Sequence, residues 1–137
     1  MRYLIAGFIL IQTNLFAAIL NGSFENDMDS WSIKHDWYAK PKDAGLSPVS
    51  IVEKEGQNGG KALKITGDGK RGLAMQVMPA YPGQYKITGW IKCQNLDAGQ
   101  AGVMLEWMDT TNKWMRGDWA CKFSGNRNWQ RFETVMT

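Results

Sequence analysis

The segment 84–93 alternates with period two. Tyr85, Ile87, Gly89, Ile91 and Cys93 share one face, and Gln84, Lys86, Thr88, Trp90 and Lys92 share the other. That is the strand signature, and it places the Trp90 indole among polar neighbours. An outward indole can stack on the apolar face of a ring while nearby polar groups reach the ring's rim. A pyranose has such a C–H face and a rim of hydroxyls. Two more segments could add to the site. In 102–108, Val103, Leu105 and Trp107 oppose Met104, Glu106 and Met108. In 113–123, Met115, Trp119, Cys121 and Phe123 oppose Trp114, Arg116, Asp118 and Lys122. If these strands share a sheet with 84–93, then Trp90, Glu106, Trp114, Arg116 and Asp118 line one groove. Trp37 and Tyr38 lie in a segment without periodicity, where a loop could flank that groove. Trp107 and Trp119 fall on the core-facing sets, and Phe24 and Trp31 read as core plugs. The alternative for Trp90 is packing at a sheet edge or under a loop.

Catalysis has little to stand on. Glycoside hydrolysis needs two carboxyl groups about 5–10 Å apart across the sugar. Glu53 with Glu55, or Glu106 with Asp118, could be forced into that role, but no motif marks them. His35 has no nucleophile motif beside it. Two cysteines and one histidine make no common zinc site. The segment is therefore expected to be non-catalytic.

The elements that must position these residues read as strands throughout. The segment 72–78 alternates with Leu73, Met75 and Val77 on one face, and weaker strands are expected at 48–54, 61–66 and 129–136. Between the apolar runs lie turn residues: 55–60, 67–69, 81–83, 109–112 and 124–126, rich in Gly, Asn and Asp. Seven Trp, fifteen Gly and few helix-length periodic stretches point to an all-β sandwich. No internal repeat or low-complexity linker interrupts the chain.

The start of the chain reads differently. Met1-Arg2-Tyr3 carries one positive charge, Leu4–Ile11 is apolar, and small residues close the segment at Ala17-Ala18. This is the pattern of a secretory signal over 1–18. The apolar run is about half the ~20 residues a membrane span requires. The expected product is a secreted, extracellular or periplasmic domain over 19–137, a length that suits one domain. Loss of Arg2 would take the net charge from +3 to +2. Such a weak balance, with Lys40-Pro41-Lys42 and Lys70-Arg71 as the densest basic groups, argues against a nucleic-acid binder. In an oxidising compartment Cys93 and Cys121 could pair. Both fall on the apolar sets of their strands, so the alternative is two small buried hydrophobes.

Four motifs occur in order along 21–137. Asn21-Gly22-Ser23-Phe24-Glu25 followed by Trp31 resembles the opening of the CenC-type carbohydrate-binding modules, allied to carbohydrate-binding families 4, 9 and 22. Gly60-Lys61-Ala62-Leu63-Lys64-Ile65, Pro82-Gly83-Gln84-Tyr85 through Trp90-Ile91-Lys92, and Trp129-Gln130-Arg131-Phe132 resemble three of their later strands. The resemblance implies a jelly-roll β-sandwich of the galactose-binding-like type. It implies binding of a polysaccharide or oligosaccharide in a groove on one sheet, often beside the catalytic domain of a secreted glycoside hydrolase. Some members of that family bind a structural calcium near the N-terminus, which makes Glu25 the candidate ligand with Asp27 or Asp29 nearby; the alternative is a Glu that caps a turn. The resemblance explains Asn21-Gly22-Ser23 better than a glycosylation sequon does. The family's final strands have no counterpart before Thr137, so the module is expected to be C-terminally incomplete. The competing expectations are a structural or adhesive sandwich without a glycan site, and the N-terminal piece of a hydrolase whose catalytic domain lies downstream.

Overall fold

The computed structural model describes residues 2–11, 19–32, 49–67 and 72–137. Among them are five strands and no helix: β1 (Arg2–Ile11), β2 (Val49–Val52), β3 (Ala62–Gly67), β4 (Tyr85–Met108) and β5 (Trp114–Met136). All pairings are antiparallel, in the order β2-β3-β1-β4-β5.

β4 and β5 are far longer than the usual five or six residues of a strand, and they run through both layers of a β-sandwich. In the first layer, residues 85–93 of β4 pair with 127–136 of β5, beside β1, β3 and β2. In the second, residues 101–108 pair with 114–123. Pairing is irregular between the two, at Cys93, Leu96 and Ala101. There Asn95 (φ 55°) and Gly125 (φ 71°) adopt left-handed backbone, which Asn and Gly tolerate best. The Asn95 N–H donates to Asn126 Oδ1 at 2.6 Å and ties the bend. The stretch 124–126, expected as a break between strands, is instead where one long hairpin folds over itself.

The core lies between the layers. Ile87, Ala120 and Phe132 are buried together, with Val103, Leu105, Cys121, Phe123 and Met136 packed on them. A second cluster joins Ile91, Cys93, Leu96 and Ala101, and Phe123 packs on both. Burying a side chain such as Ile87 or Ile91 contributes about 1.5–3 kcal/mol. At one end the Tyr85 and Trp107 rings meet edge-on at 5.4 Å. The Thr134 hydroxyl donates to the Ala120 carbonyl at 2.6 Å and closes the doubled hairpin.

The all-β sandwich expected from the sequence is what the chain forms, and 48–54, 61–66 and 129–136 all contain strand. The segment 72–78 does not become one. It makes a single bridge, Met75 with Ser32, and Val77 is 70% exposed. Its polar work explains why. The Gln76 amide accepts from Leu20 N–H and donates to the Leu20 and Ser30 carbonyls, at 2.8–3.0 Å, so the segment straps the loop 20–32 rather than a neighbouring strand. In that loop Phe24 is fully buried, as expected of a core plug, against the half-buried Trp31, ring centroids 5.1 Å apart.

Candidate functional site

Two β-bulges decide which side chains reach the surface of the second layer. Val103 pairs with Cys121, yet Met104 pairs with Trp119, so Ala120 is an extra residue on β5. Trp107 pairs with Arg116 and Met108 with Trp114, so Met115 is a second. Each inserted residue flips the face of everything beyond it. Val103 and Leu105 point into the core. Their strand neighbours Met104, Glu106 and Met108 therefore face outward, and the registered partners Trp119, Gly117 and Trp114 share that face.

The result is an exposed strip. Trp119 is 42% and Trp114 57% exposed, on either side of Gly117, which lies opposite Glu106. Of the β5 residues registered on this face, only Gly117 lies between the two indoles, while the inserted Met115 is itself exposed next to Trp114. The floor is tight: a Cβ at Gly117 would meet Met104 Sδ at 3.1 Å and Glu106 Cγ at 3.6 Å. The Lys122 ammonium lies 4.7 Å from the Trp119 ring centroid, within cation–π range. Gly102, opposite Lys122, admits the Trp119 ring edge. A Cβ there would stand 3.1 Å from that ring and 2.1 Å from the Cys121 carbonyl oxygen. Chemically, the strip offers two aromatic faces, a carboxylate and an amine.

The expected groove is not assembled as one surface. Trp90 is half-buried on the outer face of the first layer, opposite Arg131 on one side and Gly7 on the other. Its companions there are Lys86, Lys92, Arg131 and Glu133. Glu133 accepts from Lys86 and Arg131, each at 2.7 Å, and those two bonds hold its carboxyl below the usual range. Glu106 and Trp114 belong to the other layer, on the sandwich's opposite side. Arg116 and Asp118 pair with Trp107 and Leu105 and so take the face of those residues, not that of Glu106. Arg116 sits 5.7 Å over the Trp107 ring, 3.2 Å from Asp118 Oδ2, and donates to the Thr137 carbonyl. Trp119, expected in the core, is outside because of the bulge at Ala120. The alternation read from sequence holds only while no residue is inserted, and nothing in the residue types marked the insertion. Trp37 and Tyr38 lie outside the described residues.

Near the N-terminus, Glu25 Oε1 accepts the Lys61 backbone N–H at 3.1 Å, and the Lys61 ammonium lies 2.6 Å from Asp27 Oδ1. Calcium takes six to eight oxygens. Here a lysine ammonium already holds one of the carboxylates, and no three His, Cys, Asp or Glu converge among the described residues. The Asn21 amide donates to the Asp27 and Asp29 carbonyls at 2.9 and 3.1 Å, and Trp31 Nε1 donates to the Asn21 carbonyl at 3.2 Å. The residues of the opening motif thus fold their own loop. Cys93 and Cys121 are free thiols here. Burial pushes the Cys121 thiol up to about 11 and raises that of Cys93.

Neither a family model, nor a curated protein, nor a solved structure matches this chain.

Proposed function

We propose that this domain binds carbohydrate without acting on it chemically, and that the strip bearing Trp114, Glu106 and Trp119 is its site. The observation that carries the reading is the pair of exposed indoles on one face with a carboxylate set between them over a glycine floor. Two stacking faces at a spacing of several residues, roughly 13–16 Å along a strand, suit a chain of sugars better than a single ring. Glu106 and the Lys122 ammonium supply hydrogen bonds to hydroxyls. The reading requires no cofactor. A structural calcium at Glu25 that also used Asp27 would have to displace Lys61 from it. The leader-like residues 1–18, the motif series and this strip together fit an exported module, of a jelly-roll kind, that brings a glycoside hydrolase or a related protein to its polysaccharide.

Affinity electrophoresis against xylan, β-glucan, laminarin and galactan tests it. Retardation by at least one glycan, abolished by Trp119→Ala, is the expected result. Free migration in all four, for protein shown to be folded, would end the reading. A second reading has one observation in its favour: Met104 and Met115 are exposed beside the two indoles. Flexible, polarisable methionines suit an adaptable protein-binding surface. A structural or adhesive sandwich would then bind a protein through the same strip and ignore all four glycans.

A further inference from the structure

The strip carries charges of opposite sign at different places. Glu106 is registered with Gly117, between the two indoles, whereas Lys122 is registered with Gly102, beyond Trp119. Gly102 and Glu106 are four positions apart on β4, roughly 13 Å along a strand. That exceeds the Debye length of about 8 Å in physiological salt, so the carboxylate does little to neutralise the ammonium.

Lys122 is exposed, and among the described residues it pairs with no carboxylate. By comparison, Lys61 holds Asp27 and Lys86 holds Glu133. The contact Lys122 does make is with the Trp119 indole, its ammonium 4.7 Å from the ring centroid. Gly102 sets no side chain across from it on β4. The Trp119 ring edge leans over that gap, since a Cβ at Gly102 would stand 3.1 Å from the ring.

These positions decide what a sugar on Trp119 would meet. A pyranose stacked on the indole either takes the face against which the ammonium rests or lies beside it. In both cases the rim of the ring comes next to Lys122. A neutral ring offers only hydroxyls to a cation lifted from an aromatic face. A ring with a negative substituent gives that cation a charge-assisted hydrogen bond, shorter and roughly twice as strong as a neutral one. Between the indoles the sign reverses. A negative substituent set over Gly117 would face Glu106 and be repelled. The strip therefore discriminates by position, with neutral sugar favoured beside Glu106 and charged sugar beside Lys122.

We propose that the Trp119 end of the strip is a subsite for an anionic sugar, a pyranose bearing a carboxylate or a sulfate within an otherwise neutral chain, and that Lys122 selects it. The proposal rests on the strip being a glycan site. Trp119 supplies the stacking face, Lys122 the counter-charge and Gly102 the room, and no bond is made or broken. A lysine ammonium is a compact point charge with three rotatable donors, not a planar fork that matches one anion. Carboxylate and sulfate are therefore told apart by the polymers tested. An exposed ion pair gains little in water, so the selectivity expected is a small multiple.

The test measures binding of the full chain, by calorimetry at low salt, to two matched pairs of polymers. One pair is glucuronoxylan and its carboxyl-reduced form. The other is a sulfated galactan and its desulfated form. The native chain is expected to bind the charged member of at least one pair about three- to fivefold more tightly than its neutral partner, and the pair that shows this identifies the anion. Added salt should shrink the difference, because exposed charges are screened. Lys122→Met keeps a long apolar side chain and should bring the two members of that pair to equal affinity. Lys113→Met is the control. That lysine is exposed and precedes Trp114, at the far end of the strip. Its loss removes the same net charge, and the preference should survive. Equal affinity of the native chain for both members of each pair would overturn the proposal. So would a preference that persists in Lys122→Met, or one that Lys113→Met removes as fully. Each of those results leaves the strip standing as a site for neutral glycan. Absence of binding to all four polymers would instead end the glycan reading of the strip, and the anionic subsite with it.

Discussion

Trp119 owes its exposure to a single inserted residue, and its removal is the most informative change at this scale. Trp119→Ala and Trp114→Ala are each expected to weaken glycan binding by tenfold or more, about 1.4 kcal/mol or more, read by affinity electrophoresis or calorimetry. Trp90→Ala, on the opposite layer, should leave affinity unchanged and lower stability by about 1–2 kcal/mol through lost packing. Gly117→Ala separates the floor from the fold. The new methyl meets the flexible end of Met104, which can shift, so the melting temperature should hold while binding falls. Gly102→Ala would do the opposite, since its methyl meets the rigid Cys121 carbonyl, and a marked loss of stability in chemical denaturation is expected. The two thiols should resist alkylation at pH 8 in the native state and react at once in denaturant, because burial keeps them protonated.

At the scale of elements, the hairpin of β4 and β5 carries most of the structure. Its core can be probed directly: Ile87→Ala should cost about 2–5 kcal/mol of stability, measured by urea unfolding. Much of this hairpin was legible in the sequence. The alternation over 84–93 correctly separates buried Ile87, Ile91 and Cys93 from Lys86, Trp90 and Lys92, and Val103 and Leu105 are inward as their period implies. The errors begin at the bulges. Ala120 and Met115 shift the phase of β5, which moves Trp119 to the surface and turns Arg116 and Asp118 toward the face of Trp107. A bulge is set by how two strands meet, not by the residues of one of them, so a pattern read along one strand could not contain it. The same limit hid β1. The apolar run after the basic start reads as a leader, and the pairing of Arg2–Ile11 between β3 and β4 is a non-local fact that no single segment displays.

For the whole molecule, the sandwich places its two Trp-bearing faces on opposite sides, so a glycan held on the second layer leaves Trp90 and its ion pairs free for solvent. Titration should register in two places. The Glu133 carboxyl lies below its ordinary value because of Lys86 and Arg131. Its contribution is present above the unfolded value and fades as pH falls through the lowered one, and Lys86→Met should move the Glu133 titration, followed by NMR, back toward the ordinary range. The thiols act at the other end. Raised above the ordinary thiol value of 9.0, with Cys121 at about 11, they stabilise the fold below pH 9. That contribution is lost as pH climbs toward the folded value, so Cys121→Ala should flatten the alkaline fall in melting temperature. The central claim is that sugar stacks on the Trp114–Trp119 strip, and binding isotherms of one retarding glycan to the native chain, Trp119→Ala and Trp90→Ala test it most directly. Trp119→Ala is expected to lose at least tenfold in affinity while Trp90→Ala matches the native chain. Full affinity in Trp119→Ala, with binding lost in Trp90→Ala, would contradict it.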